Sequence, residues 1–510
     1  MALMQGYPKA HQNRIPGSDK STRKSRAAFL KAAGISFLML QLLFLGLFCY
    51  IFGAIWQQSS HIHNMHVAFV DYDGGVLGTA VREAYKTLQG SNFPTLEEAT
   101  SEKYPTAGDL KEAVCKAHYW GAIYISQGAS ERLANALPGG TAATTYNRSN
   151  VFTFIWNEAR YSTIVDSDIS GTMSTLSSAA RVAYSAINGT AALQILNSTD
   201  PAAISVFANP WQLTSINIQP TTQGSRLIYN TLVIILILIQ EFFYLGTING
   251  LYAQFKIYTK IYPHRIIAYR NGISLAYTFC GSLCVTGSIW AFRASWNVNG
   301  NQFAMTWAVL WLFAHLNFLW LDVFTIWTPP QYVPMAFITW IVFNVTSILV
   351  PFELSPRFYR WSYAMPAHEV FQTAIDIWSG GCNPQLYYAL PVLFVLEIIG
   401  LVLGAVGVYR RCHYAVIAEE AADAAFRDRV GVAMALERRM IEERRQNATE
   451  ESDEIVVQEK KEEAEIDSAI RTEDRKLQRQ HTKAAQDCNF GPTFPIGFKD
   501  ESSDSISTSE

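Results

Sequence analysis

The stretch Thr231-Leu-Val-Ile-Ile-Leu-Ile-Leu-Ile239 opens a block of long apolar segments that ends near Tyr409. A bilayer core about 30 Å thick needs about 20 mostly apolar helical residues to cross it. The run has no alternation with a period of two, so it favours a helix over a barrel strand. Because backbone amides find no water in lipid, each crossing must satisfy its own hydrogen bonds, which a helix does. The block therefore predicts an α-helical integral membrane protein.

Six segments have the length and composition of membrane spans. Five of them lie in this block and one precedes it: Ala32–Trp56, Leu227–Gly250, Gly272–Phe292, Phe303–Phe324, Val333–Val350 and Leu386–Tyr409. Whole-chain averages conceal this pattern, because the mean hydropathy of +0.08 blends an apolar centre with two polar ends. The sequence predicts six spans, of which Ala32–Trp56 is an uncleaved signal anchor.

Basic residues predict the orientation. Residues 1–31 are rich in Lys and Arg and are predicted to form a disordered cytosolic head. The connection after the second span is also basic, with Lys256, Lys260, Arg265 and Arg270, and the sixth span ends at Arg410-Arg411. Both termini are therefore predicted to lie in the cytosol of a multi-pass plasma-membrane protein. Residues 410–510 would form a charged cytosolic tail, helix-prone at first and disordered at its end.

The large polar insertion at residues 57–226 lies between the first two spans, and this orientation places it outside. Strand patterns at His66–Asp73, Gly121–Ser126 and Val151–Trp156 alternate with helical patterns. Such alternation is typical of an α/β domain with partly parallel pairing. A Ser/Ala-rich helix at Ser167–Ala192 is predicted to lead back to the membrane.

Two kinds of covalent modification fit an outer domain. Three sequons for N-glycosylation fall in it, at Asn147, Asn188 and Asn197. Sequons also arise by chance, so three in one segment support the orientation only mildly. Cys115 and Cys382 are the only cysteines predicted to lie outside, where an oxidising compartment would permit a disulfide between them.

A short helix is predicted at residues 366–379, between the last two spans. Pro366 lies near its start and Gly380-Gly381 follows its end, as helix boundaries prefer. It is too short to span a bilayer and carries apolar residues on one face. An interfacial or re-entrant outer helix fits this pattern.

The sequence lacks the common catalytic motifs. No G-x-x-x-x-G-K-[ST] occurs, so ATP-driven transport would need a partner ATPase. No H-E-x-x-H, paired C-x-x-C or G-x-S-x-G occurs either. The sequence therefore predicts no enzymatic activity, no metal and no cofactor. The net charge of -3 gives no support for a nucleic-acid partner.

Three ionisable residues fall within predicted spans: Glu241, His315 and Glu397. A charge at the bilayer centre costs roughly 2.5–3.5 kcal/mol even on insertion scales, so such groups face a bundle interior or a cavity. One interpretation is a proton-linked or substrate-lining polar path. The other is that protonated or hydrogen-bonded side chains hold the helices together.

Several motifs in a fixed order support a family resemblance. The outer domain opens with His66-Val-Ala-Phe-Val-Asp-Tyr-Asp-Gly-Gly75 and continues to Trp120-Gly-Ala-Ile-Tyr-Ile125. Phe352-Glu-Leu-Ser-Pro-Arg-Phe-Tyr-Arg-Trp-Ser-Tyr-Ala-Met-Pro366 and Ile377-Trp-Ser-Gly-Gly381 precede the last span. From about residue 30 to residue 412, the chain resembles the fungal nitrosoguanidine-resistance membrane protein family. That family in turn resembles type-2 ABC exporter permeases and the phage-infection-protein group.

The resemblance implies a plasma-membrane protein linked to drug and mutagen resistance, or to lipid distribution between leaflets. Our first hypothesis is a permease-like protein whose partners are membrane lipids and a small amphipathic substrate. The alternative is a non-transporting scaffold or regulator of lipid asymmetry or stress signalling, whose tail recruits a cytosolic partner. The sequence leaves open whether the chain forms a homo-oligomer.

Overall fold

The computed structural model describes residues 20, 23–221, 233–294, 296–447 and 468. The chain divides into two compact units, Met1–Trp56 and Gln57–Glu510. The described part of the first unit is dominated by one long helix, α1 (Arg23–Ala54). The prediction of a disordered head is wrong over residues 23–31, because this stretch lacks Gly and Pro and continues the helix without a break. The rest of the predicted disordered head, apart from Lys20, lies outside the described residues.

A five-stranded sheet forms the centre of a small α/β domain in the second unit, with strand order β2-β1-β3-β4-β5. Its strands are β1 (His66–Asp71), β2 (Thr95–Ala99), β3 (Gly121–Ile125), β4 (Phe152–Trp156) and β5 (Leu213–Asn217). Only the β3–β4 pair is antiparallel among these strands. The edge strands β2 and β5 escape sequence prediction, because their part-exposed residues carry no continuous apolar run.

Helices cover the sheet on its two faces. They are α2 (Val76–Leu88), α3 (Ala107–Cys115), α4 (Ala129–Ala136), α5 (Thr141–Thr144), α6 (Ser162–Val165), α7 (Thr172–Ile195) and α8 (Pro201–Ala208). The predicted Ser/Ala-rich helix is α7, preceded by a π-helical segment at Asp166–Gly171. It does not lead directly to the membrane segments, because the chain first returns to the sheet through α8 and β5.

A helical bundle follows the domain. Its helices are α9 (Val233–Gln254), α10 (Ile257–Lys260), α11 (Pro263–Ala291), α12 (Gly300–Trp327), α13 (Val333–Leu349), α14 (Pro366–Trp378) and α15 (Leu386–Asn447). In the described residues, six helices are long and apolar enough to cross a bilayer: α1, α9, α11, α12, α13 and α15. The prediction of six such segments is confirmed, and the architecture is that of a membrane protein.

Helix boundaries differ from the predicted spans. Helix α11 starts at Pro263 instead of Gly272, because proline is favoured in the first turn, so Arg270 lies inside the helix. Helix α12 starts at Gly300 because Asn299 and Gln302 form a reciprocal capping box. Helix α15 shows no break after Tyr409. Its 62 residues reach about 93 Å at 1.5 Å per residue, which far exceeds a bilayer.

The bundle has two distinguishable ends. At the domain end it contacts the α/β domain, where Asn64 Nδ2 donates to Glu353 O at 3.0 Å and Asn157 Nδ2 donates to Cys382 O at 3.1 Å. At the tail end, α15 projects beyond the other helices. Helix α14 lies at the domain end, packed against α12, α13 and α15.

Helix α14 is enclosed on every side. All its residues from Pro366 to Trp378 are buried, including Glu369 and Asp376. An interfacial helix that contacts lipid headgroups directly would expose a polar face, and α14 exposes none. Its position at the membrane surface stays a prediction. Helix α14 does have the apolar face that the sequence predicts, but its polar face is also buried by the rest of the protein.

Candidate functional site

A buried acid–base pair joins two long helices at the middle of the bundle. His315 on α12 contacts Glu397 on α15 through its Nδ1 atom and the Oε1 atom of the carboxylate. The other ring nitrogen, Nε2, lies 3.2 Å from Ser274 Oγ on α11. The His315 side chain is 3% exposed and that of Glu397 13%. Three helices therefore meet at one titratable group.

Close helix packing holds this pair in place. Gly400 lies one turn beyond Glu397, and a Cβ atom there would sit 2.9 Å from Leu319 Cβ, one turn beyond His315. That separation is too short for any larger residue without movement of α12 or α15. The glycine thus brings the two helices close enough for the histidine and the carboxylate to touch.

Glu241 stands apart from this pair. It is fully buried on α9, and neither of its carboxylate oxygens has a hydrogen-bond partner among the described residues. One turn away, the buried Tyr244 hydroxyl also lacks a partner in that part of the chain, although its ring stacks on Tyr277 at 3.7 Å. The structure brings His315 and Glu397 together, whereas no described hydrogen bond or ion pair connects either to Glu241.

An ionic cluster occupies the tail end of the bundle. Asp322 Oδ1 accepts from Arg270 Nη2 at 2.6 Å and from Arg411 Nη2 at 2.7 Å. Arg270 Nη2 also donates to Asn249 Oδ1 at 2.8 Å. All three charged side chains are at most 4% exposed. The cluster ties together α9, α11, α12 and α15.

Sequence reasoning missed this cluster. It placed Arg270 in a basic loop and treated Arg410-Arg411 as an orientation signal only. A usable signal exists in α11, where buried polar residues recur at Arg270, Ser274, Thr278, Ser282 and Thr286. A spacing of four residues places them on one helix face, so Arg270 faces the bundle with the hydroxyls.

The disulfide partners and the sequons lie at or beyond the domain end. Cys115, which ends α3, is bonded to Cys382 in the segment before α15. Asn147 and Asn197 are exposed, whereas Asn188 is half-buried. The Asn188 amide also donates to Tyr184 OH within α7 at 3.2 Å. Asn147 and Asn197 are therefore more accessible than Asn188.

We expect the Cys115–Cys382 bond to change electrophoretic mobility, because it closes a loop between cysteines 267 residues apart. Without reductant, the full chain should run faster than after reduction. Cys382→Ser and Cys115→Ser should each remove the difference, and Cys280→Ser, which alters an exposed free cysteine, should keep it. A parent chain whose mobility does not respond to reductant would contradict the bond.

The comparison with known families covers most of this architecture. The profile of DUF3533, described as a protein of unknown function, matches residues 36–402. The matched region begins within α1, includes the sheet and the His315–Glu397 pair, and ends within α15 before Arg411 and the tail. No solved structure matches the chain. Since the match spans more than half of the 510 residues, the chain belongs to the DUF3533 family.

Proposed function

We propose that the chain is a permease-like membrane protein that confers drug or mutagen resistance. It would move small amphipathic compounds or lipids across the plasma membrane. The observation that carries this proposal is the His315–Glu397 pair, buried where three helices meet. Ionisable groups at such depth are expensive and typically belong to substrate or proton pathways. The resemblance to resistance proteins and exporter permeases points the same way.

A change in protonation would alter the contact between α12 and α15. With the pair charged, His315 and Glu397 attract each other across the seam at Gly400. Protonation of Glu397 would remove that attraction and weaken the contact between the two helices, although a neutral hydrogen bond to His315 can remain. Glu241 offers a second protonatable group nearer the domain end, about 12 Å along α9 from Val233. Energy would come from a proton gradient or from a partner ATPase.

The proposed orientation places the α/β domain outside the cell and both termini in the cytosol. The Cys115–Cys382 bond supports it, because disulfides persist in oxidising compartments. Three sequons fall in the same domain. Lys256, Lys260 and Arg410 lie at the tail end, as the excess of basic residues on cytosolic sides requires.

Reconstitution tests the proposal directly. Purified full-length protein in liposomes should move labelled lipids or amphipathic drugs faster than empty liposomes, and faster still with a pH gradient. A gradient dependence would support proton coupling through the buried pair. Movement no faster than in protein-free liposomes, with and without a gradient, would contradict the permease.

One observation favours the scaffold as a second candidate. Beyond the bundle, α15 exposes Phe426, Val430, Met434 and Ile441, which recur at intervals of four and seven residues. Such spacing gives an apolar stripe along one helix face, suited to a partner helix. The stripe would recruit a cytosolic protein.

Deleting residues 415–510 separates the two candidates. The permease should keep its transport rate and its resistance phenotype, because the described polar clusters all lie before Ala415. The scaffold should lose the phenotype although movement of lipid or drug in liposomes is unchanged. Cells that carry the shortened chain at equal membrane abundance provide the comparison, with drug survival as the measurement.

A further inference from the structure

A small polar cavity lies at the domain end, between the α/β domain and helix α14. Its volume is about 70 Å³, and its lining includes Arg160, Tyr161, Glu353, Tyr363, His368 and Tyr388. Drug-sized pockets measure roughly 300–1,000 Å³, whereas one water occupies about 30 Å³ of liquid. The cavity therefore suits a small polar group and not a whole drug molecule.

The first feature that points to a ligand is Arg160, which follows β4. It is 7% exposed, and its guanidinium lies 4.0 Å from the centre of the Trp120 ring. Its described hydrogen bond runs from Nη1 to Tyr119 O at 3.1 Å, and no described carboxylate forms an ion pair with it. Burial lowers the pKa of Arg160 to about 10, so the side chain stays charged at neutral pH. Glu353, on the same cavity lining, is near enough to act on the Arg160 charge but forms no described ion pair with it. A buried cation without a direct ion pair is costly, and an anion in the cavity would offset that cost.

Tyr161 provides a second, independent feature. Its hydroxyl is buried and has no hydrogen-bond partner among the described residues. Its φ angle of 56° is left-handed, a conformation that costs a non-glycine residue on the order of 1 kcal/mol or more and recurs at functional sites. The ring packs edge-on against Phe371 of α14 at 4.9 Å, which fixes its direction. The direction of the Tyr161 ring is therefore fixed, and Tyr161 and Arg160 line the same cavity.

The opposite charge on the cavity lining comes from Glu353. This residue is half-buried, and its carboxylate has no described ion pair. Burial raises the pKa of Tyr161, and the nearby charge of Glu353 raises it further. His368 is already engaged, with Nδ1 3.0 Å from Glu369 Oε1 and Nε2 3.3 Å from Gln372 Nε2. A simple anion would meet repulsion from Glu353, whereas a ligand with both charges would satisfy both residues.

We propose that this cavity binds a small zwitterion that joins an ammonium group to a phosphate or carboxylate. The anionic group bonds to Arg160 and Tyr161, and the ammonium group faces Glu353. Two sources share this chemistry, a zwitterionic lipid headgroup and a free zwitterion in solution. Binding here requires neither transport nor proton coupling, so it stands apart from the proposed function.

Titration of the full-length protein in detergent with O-phosphoethanolamine tests the free source. Calorimetry should detect saturable binding, and Arg160→Gln should weaken it roughly tenfold or more, since it removes a charge-assisted hydrogen bond. Glu353→Gln should weaken phosphoethanolamine binding but not the binding of inorganic phosphate. Arg357→Gln, an exposed arginine four residues further on, should change nothing.

Nanodiscs that contain equal amounts of phosphatidylethanolamine and phosphatidylglycerol test the lipid source. The parent chain should retain phosphatidylethanolamine through gentle extraction, and Arg160→Gln and Glu353→Gln should lose this preference. Retention in nanodiscs without binding of the soluble probe assigns the site to a lipid. The proposal is overturned if the parent binds neither probe better than Arg160→Gln does.

Tyr161→Phe distinguishes a direct loss of ligand binding from a loss of binding caused by a destabilised fold. It removes only the unpartnered hydroxyl, so the thermal midpoint should stay the same or rise. Binding of the zwitterion should nevertheless weaken by a factor of about three to ten, the worth of one hydrogen bond. Unchanged binding in a stable Tyr161→Phe protein would remove this residue from the site and contradict the proposed geometry.

Discussion

Glu397→Gln is expected to abolish gradient-driven transport by the reconstituted chain while its abundance in the membrane stays intact. Glutamine has nearly the same shape and can still bond to His315, so the seam between α12 and α15 should remain closed. It cannot gain or lose a proton, so the pair can no longer respond to pH. The measurement is the initial rate of drug or lipid movement with and without a pH gradient.

Glu420→Gln is the matched control for this prediction. It makes the same change on the same helix at an exposed position beyond the bundle, and transport should be normal. Normal transport in Glu397→Gln itself would exclude the carboxyl from coupling. The His315–Glu397 contact would then serve only to hold the helices together, as the second interpretation of the sequence states.

Asp322→Asn is expected to destabilise the fold severely. The carboxylate is the negative charge in contact with both Arg270 and Arg411, and all three side chains are buried. Breaking a buried ion pair from one side costs about 3–5 kcal/mol, because the remaining charge is left uncompensated. Here two guanidinium groups lose their counter-ion together. Size-exclusion profiles and thermal midpoints in detergent should show loss of the folded protein.

A charge-balancing second change distinguishes electrostatics from shape. Asp322→Asn combined with Arg411→Met removes one of the two stranded cations, so it should recover part of the lost stability. Asp428→Asn, at an exposed position of α15, should leave the midpoint unchanged. An Asp322→Asn protein as stable as the parent would show that the cluster carries little of the bundle's stability.

The sequence predicted the parts of this molecule that follow from local composition. Six spans could be predicted because each is an apolar run of suitable length. Strands β1, β3 and β4 could be predicted because buried strands are continuous apolar runs. The edge strands β2 and β5 are short and partly polar, so no local pattern marks them. Their existence depends on pairing with strands distant in the chain.

Partnerships across helices were the hardest features to foresee. Glu241, His315 and Glu397 look equivalent in the sequence, as three ionisable residues in apolar segments. Only the packing of α12 on α15 shows that two of them touch and that the third does not. The role of Arg270 was missed for a related reason. A basic residue near the end of a predicted span resembles an orientation signal, and only the structure shows that its helix begins earlier, at Pro263.

Helix α15 runs without a break from the bundle into the tail, so a change in its tilt within the bundle would move its far end. Glu397 and the last residue of α15, Asn447, lie about 75 Å apart along one helix, so a tilt of roughly 5° at Glu397 would move the far end by about 6–7 Å. Pro391, six residues before Glu397, has no backbone N–H to donate, so one helix hydrogen bond is missing there and the helix bends more easily at that point. If the proposed protonation of Glu397 tilts α15, a partner bound to the far end of this helix would be displaced by that distance.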